Sequence, residues 1–153
     1  MKSQNFAKAE MLIRKPVAMV FGAFIDPAVT TKIWFTKSSG KLETGKTVEW
    51  VWEMYNVTVP VRVLDIATHK KIEIEWGNQG TTTTVTWTFT ALADDATFVS
   101  IVNSGFKGDS DALMAQIRDS TEGFTLVLAG LKALLEHGIQ LNLVGDRFPG
   151  EMQ

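Results

Sequence analysis

Hydrophobic residues recur along this chain with two periods, and the change between them divides the sequence into its elements. Near the C-terminus Phe124, Val127, Leu128, Leu131, Leu134 and Leu135 follow at three- and four-residue steps, which gathers them on one broad helical face and leaves Lys132 and Glu136 off it. Asp119 with Glu122 three residues on forms a weak capping box, and Gly138 after His137 supplies a left-handed terminator. The spacing therefore predicts a helix from Asp119 or Ser120 to His137. Leu113, Met114 and Ile117 continue the stripe upstream, which leaves open one long helix or two pieces with a kink near residues 120–123.

The N-terminal part begins with a short strand over residues 8–15, after which Pro16 opens a helix that carries Val17, Val20, Phe21 and Phe24 on one side. Asp26-Pro27 is a cap followed by a first-turn proline, so a second short helix is expected there, holding Val29, Ile33 and Trp34. A polar loop follows over residues 38–45. From there the period becomes two and stays so for about sixty residues, the mark of successive half-buried strands.

In the first of these strands Val48, Trp50, Trp52 and Met54 face one way; in the next, Val57, Val59, Val61 and Val63 do. A two-residue turn at Tyr55-Asn56 would pair Trp52 with Val59 and Trp50 with Val61. Pro60 cannot donate to a ladder, so a bulge or a missing bond is expected beside it. Ile72, Ile74 and Trp76 alternate with Glu73 and Glu75, and Val85, Trp87 and Phe89 alternate with Thr84, Thr86, Thr88 and Thr90, a threonine face suited to solvent. Placing Leu92 opposite Ala96 brings Phe89 to Val99, Trp87 to Ile101 and Val85 to Asn103. The same register leaves Phe98 and Val102 on the outer face, an apolar pair that either supports a homodimer or lies under the tail from Ile139 to Phe148. That tail, residues 139–153, reads as extended.

Composition narrows the class. A chain of 153 residues that is 45% hydrophobic is expected to form one domain, residues 1–153, with a core that needs no staples. It has no cysteine, which excludes disulfides and thiolate chemistry and agrees with a cytoplasmic location. A net charge of −2, scattered in ones and twos, gives no basic footprint for nucleic acid, and no apolar run is long enough for membrane insertion.

Candidate chemistry is sparse. His69 falls in a turn and His137 in the last helical turn; Glu49 with Glu53 and Glu73 with Glu75 share outer strand faces, so neither pair resembles an acid and base across a cleft. No ligand spacing suggests a metal, and Ser104 and Ser120 have no histidine partner in view, so no catalytic residue, metal or cofactor is expected. The aromatic set is more telling. Trp50, Trp52, Trp76 and Trp87 all fall on the inner face and Trp34 lies near the sheet's mouth, where indoles serve equally as core or as the wall of a cavity. Asn103 is the one clearly polar inward residue of its strand and needs a bonded partner, because an unpaired buried amide costs about 1–3 kcal/mol.

The order of elements, strand, two short helices, antiparallel meander and long amphipathic helix, resembles the α+β helix-grip fold of the START and birch-pollen-allergen superfamily, with a curved sheet of about six strands wrapped around the last helix. Within it the stretches FGAFIDPAVTTKIWF, ATFVSIVNSGF and EGFTLVLAGLKALLEHG, in that order and spacing, resemble homologues of the activator of the heat-shock-protein-90 ATPase. Phe124 stands where that family commonly has tryptophan, and Asn103 where a histidine often sits. The eukaryotic activators also have a separate amino-terminal domain that a chain of this length is expected to lack, so the resemblance implies the fold and a cavity more strongly than an activity.

The expected function is therefore non-catalytic binding of a small hydrophobic molecule between sheet and helix, against Trp34, Trp50, Trp52, Trp76, Trp87, Asn103, Phe124 and Leu128. The resemblance also implies two alternatives: a chaperone-associated or stress-related interaction module, with a chaperone partner or a homodimer through Phe98 and Val102, and an enzyme of the polyketide-cyclase or aromatase kind.

Overall fold

The computed structural model describes residues 5–150. Strand β1 (Phe6–Ile13) leads into helices α1 (Val17–Ile25) and α2 (Pro27–Thr30), and the meander runs through β2 (Lys37–Ser38), β3 (Thr47–Trp52), β4 (Val57–Ala67), β5 (Lys71–Trp76), β6 (Thr83–Ala93) and β7 (Ala96–Ser104). Helix α3 (Ser110–His137) and the short α4 (Leu143–Asp146) complete the order. The seven strands form one antiparallel sheet in the order β1-β7-β6-β5-β4-β3-β2, so every neighbour in the meander is a sequence neighbour and only β1 joins from a distance. This is the helix-grip arrangement, with one strand more than the expected six because the pair Lys37–Ser38, read as loop, adds a short edge strand against Val51 and Trp50.

The inner face is the one the alternation predicts. Val85, Trp87 and Phe89 are buried beside Val99 and Ile101, while Thr86 and Thr88 lie on the other side. The pairs Phe89–Val99, Trp87–Ile101 and Val85–Asn103 form as expected, as do Thr90–Phe98 and Thr86–Val102. At the turn, however, Ala93 rather than Leu92 pairs with Ala96, and Leu92 bulges outward into solvent. A second correction falls between β3 and β4. The connection is not two residues but a 3-10 turn, Glu53–Tyr55, closed by Asn56 in the left-handed region at φ 52°. Trp52 therefore pairs with Val57 and Trp50 with Val59, two residues from the expected register. A shift by an even number keeps every side chain on its face, so the inward set survives. The bulge expected at Pro60 lies instead between Val63 and Asp65. Pro60 sits where β5 has already ended, and its carbonyl accepts from the Gly77 amide at 3.3 Å, so its missing donor interrupts no ladder.

Helix α3 is the single long helix of the two alternatives, Ser110–His137, and begins well before Asp119 or Ser120. Its cap is Asp109, whose carboxylate accepts from the Ala112 amide at 2.9 Å; Asp119 and Ser120 lie inside the helix. At the other end Gly138 is left-handed at φ 66°, and the Gly138 and Ile139 amides donate back to the Leu134 and Ala133 carbonyls, a left-handed closure of the last turn. Lys132 and Glu136, which lie off the apolar face, fasten this helix to β1. Lys132 Nζ reaches the Leu12 carbonyl at 2.8 Å and Glu136 Oε2 at 2.7 Å, and the same carboxylate accepts from the Arg14 amide at 2.8 Å. Burial pushes the Glu136 carboxyl up, but the Arg14 amide and the Lys132 ammonium outweigh it and hold it below the ordinary carboxylate range.

The tail is not extended throughout: Asn142 turns left-handed at φ 58° and α4 follows. Nor do its described residues cover Phe98 and Val102. It crosses the opposite end of the molecule, where the Tyr55 hydroxyl donates to the Val144 carbonyl and Arg147 Nε meets Glu122 Oε1 at 2.7 Å. Phe98 and Val102 remain half-buried on the outer face, flanked by Leu12 and Thr90 and by Lys8 and Thr86. Among the described residues no helix is long and apolar enough to cross a membrane.

Candidate functional site

Strand parity and helical spacing bring the predicted residues to one layer between sheet and α3, but they divide there into two groups. Trp50, Trp87 and Leu128 are at most 1% exposed and belong to the core. Trp34 is what closes the centre. Helix α2 ends at Thr30, short of the expected span, and the chain continues as a turn in which the Trp34 amide donates to the Thr30 carbonyl at 3.0 Å. This turn aims the indole inward, with ring centroids 4.9 Å from Trp50, 5.4 Å from Phe124, 5.7 Å from Trp76, 6.0 Å from Trp52 and 6.1 Å from Trp87. Tilted and edge-on contacts of this kind suit aromatic quadrupoles and fill the space a rod and a curved sheet would leave. The Trp87 indole N–H is buried there with no acceptor among the described residues.

The second group opens outward. A cavity of about 180 Å³ is lined by Trp34, Trp76, Asn103, Asp119, Ser120, Gly123 and Phe124. Beyond the Trp76 ring a larger one, about 370 Å³, is walled by Trp52, Tyr55, Val57, Val59, Thr83 and Val144. A third, about 400 Å³, lies under the tail between Trp34, Leu126, Val144 and Phe148, rimmed by Glu122 and Arg147. Trp34, Trp76, Tyr55 and Val144 are each shared between two of these spaces or more, so the three form one mouth at the end of the grip.

A chain of hydrogen bonds crosses this apolar mouth. Asn103, 2% exposed, donates to Thr83 Oγ1 and to the Thr84 carbonyl, each at 2.9 Å, and accepts from Ser120 Oγ at 2.8 Å. Trp76 Nε1 donates to Thr83 Oγ1 at 3.0 Å. The partner that Asn103 required is thus protein. Thr83 and Ser120 were missed in the sequence, although both carried a signal: Thr83 shares the odd positions of Val85 and Trp87, and Ser120 stands one helical turn before Phe124. Tyr55 and Val144 had none, since a turn and a tail have no period. The histidines do not join the site. His69 packs edge-on against Phe21 at 5.5 Å in a β4–β5 turn, and His137 is exposed. Among the described residues no group of three or more histidines and carboxylates could hold a metal ion.

Solved structures of similar architecture are numerous. The SSP2350 protein of Staphylococcus saprophyticus superposes with a TM-score of 0.76 at 26% identity, over 89% of this chain and 95% of that one. DynU16, described as a putative protein in the dynemicin biosynthetic locus, gives 0.79 at 18% identity over 90% of this chain but 49% of its own. The Aha1 dimer of Colwellia psychrerythraea gives 0.73 at 18% identity, over 87% and 97%. No curated protein matches the sequence. The sequence itself matches the family described as Activator of Hsp90 ATPase homolog 1-like protein over residues 14–136, which spans everything from the end of β1 to the last turn of α3. The chain therefore belongs to the Activator of Hsp90 ATPase homolog 1-like family.

Proposed function

We propose that this protein binds a small, mainly apolar molecule, without transforming it, at the mouth of the grip rather than deep beneath the helix. The observation that carries the reading is the mouth itself: Trp34, Trp52 and Trp76 each turn part of a ring into spaces of about 180 to 400 Å³, where a few polar groups converge in an otherwise apolar wall. Small-molecule sites have this character, with apolar area supplying affinity at roughly 25 cal/mol per Å² and isolated polar atoms supplying orientation. Of the eight residues singled out in the sequence, Trp34, Trp52, Trp76 and Phe124 then face the ligand, Asn103 holds the polar groups beside it, and Trp50, Trp87 and Leu128 support them from the core.

Gly123 provides the test. It lines two of the three spaces, and a Cβ built there meets nothing within 4 Å. Gly123→Leu should fill the two spaces that it lines and, by replacing a glycine inside a helix, raise stability by up to about 1 kcal/mol. Tryptophan emission titrated with a panel of lipids, sterols and aromatic polyketides should respond saturably in the wild type, and at least tenfold more weakly in the variant. A wild type that answers to no compound, or a variant that binds as well, removes the reading.

A second reading, a homodimer through the outer face of β7, has its own observation: Phe98 and Val102 are left uncovered by the described residues of the tail that could have covered them. The similarity in fold to a protein described as a dimer supports it, and a chaperone is the other partner this surface would suit. Phe98→Glu combined with Val102→Lys should convert a dimer to monomer in light scattering; a wild type that stays monomeric at high concentration excludes the homodimer.

A further inference from the structure

The hydrogen-bond directions at the mouth can be assigned atom by atom. The Thr84 carbonyl only accepts, so the Asn103 atom 2.9 Å from it is the amide nitrogen, and that nitrogen also faces Thr83 Oγ1. The Asn103 oxygen then faces Ser120 Oγ, and the serine hydroxyl is the donor. An indole N–H only donates, so Trp76 gives its proton to Thr83 Oγ1 as well. The Thr83 oxygen thus receives one hydrogen bond from Asn103 and one from Trp76, which occupies both of its lone pairs. Its own proton is turned away from both donors, and among the described residues no acceptor takes it. Thr83 lines the cavity of about 370 Å³, together with the rings of Trp52, Trp76 and Tyr55, the side chains of Val57, Val59 and Val144, Gly77, and Thr81, whose hydroxyl is spent on the Asn78 carbonyl.

We propose that Thr83 makes this cavity selective for flat, mainly apolar molecules that carry an acceptor oxygen, a carbonyl above all. The molecule lies against the Trp76 ring with its oxygen at the Thr83 hydroxyl. Asn103 and Trp76 are positioning residues: by donating to Thr83 they leave its hydroxyl nothing to do but donate in turn. A ligand atom that can only donate finds no acceptor at that point. The inference rests on the mouth being the binding site and adds the polarity of its recognition.

Two probes of nearly identical shape separate the polar contact from burial: 2-acetylnaphthalene, and 2-isopropenylnaphthalene, in which a CH2 group replaces the carbonyl oxygen. Isothermal titration calorimetry gives the ratio of their affinities, and hydration differences between the probes cancel when that ratio is compared across variants. Thr83→Val should lower the preference for the ketone by about three- to tenfold, the range one net hydrogen bond supplies, while affinity for the hydrocarbon stays within about twofold. Thr83→Ser should keep the wild-type ratio. A Thr83→Val ratio equal to wild type, or a Thr83→Ser ratio that falls as far, overturns the assignment to Thr83. Binding of neither probe overturns the mouth as a site, and the polarity inference with it.

Discussion

Two glycines on one face of α3, two helical turns apart, mark the difference between the closed and the open part of this molecule. A Cβ at Gly130 would lie 3.7 Å from the Ile33 side chain, whereas one at Gly123 would meet nothing within 4 Å. Around Gly130 the helix buries Val127, Leu128 and Leu131 completely. Around Gly123 it borders cavities. The same sheet face and the same residue types serve both regions, so tryptophan content alone does not make a cavity. What decides is whether the chain on the other side, here the turn carrying Ile33 and Trp34, arrives to fill the gap.

The sharpest way to break the comparison is to place a charge on the closed side. Leu128→Asp buries a carboxylate with no partner and should cost about 4–5 kcal/mol or more, a large share of the stability of a domain this size. Cooperative unfolding in circular dichroism should shift far down or vanish. A melting temperature close to wild type would mean that the centre is not closed.

Removing the plug tests the other side of the argument. Trp34→Ala deletes the ring that touches Trp50, Trp52, Trp76, Trp87 and Phe124, and should destabilise by about 3–5 kcal/mol through lost burial and the void left behind. Because that void is lined mainly by aromatic rings, it should admit benzene-sized probes, extending the mouth inward. Equilibrium denaturation measures the first effect and calorimetric titration with benzene the second. A variant as stable as wild type, or one that takes up no more benzene, would show that Trp34 does not separate the two regions.

This division also sets what was legible in the sequence. Inward and outward positions of β3 to β7 could be read because parity is local and survives a two-residue register error, as at Trp50 and Trp52. The length of α3 could not, because Asp119 and Glu122 imitate a cap in the middle of a helix whose true cap is Asp109. The cavity walls were half legible. Trp76 and Asn103 follow from alternation, but which indole would be core and which would face space depended on Trp34, and its position is set by how a turn after α2 packs rather than by any period. Tyr55 and Val144 meet across 89 residues of sequence, a contact that no local pattern encodes.

The finest contrast lies between the two fastenings of α3. At the closed end Glu136 is 10% exposed and holds both the Arg14 amide and Lys132; at the mouth Arg147 and Glu122 are each 42% exposed and hold only the tail. Glu136→Gln should cost about 1–2 kcal/mol at neutral pH, the scale of charged hydrogen bonds. Because folding lowers this carboxyl below its ordinary range, the wild type keeps its charge in acid where the unfolded chain has taken up a proton. Its advantage over the variant is therefore complete above the ordinary carboxylate range and disappears as pH falls through the lowered value; an advantage that grew in acid would contradict the clamp. Arg147→Ala breaks an exposed pair and should change stability by less than about 0.5 kcal/mol at any pH. Its effect should be local, with faster amide hydrogen exchange in α4 and none in α3, because the strap leaves the helix it is tied to untouched. Protection lost equally in both helices would mean that the tail is part of the core and the mouth is not an independent region.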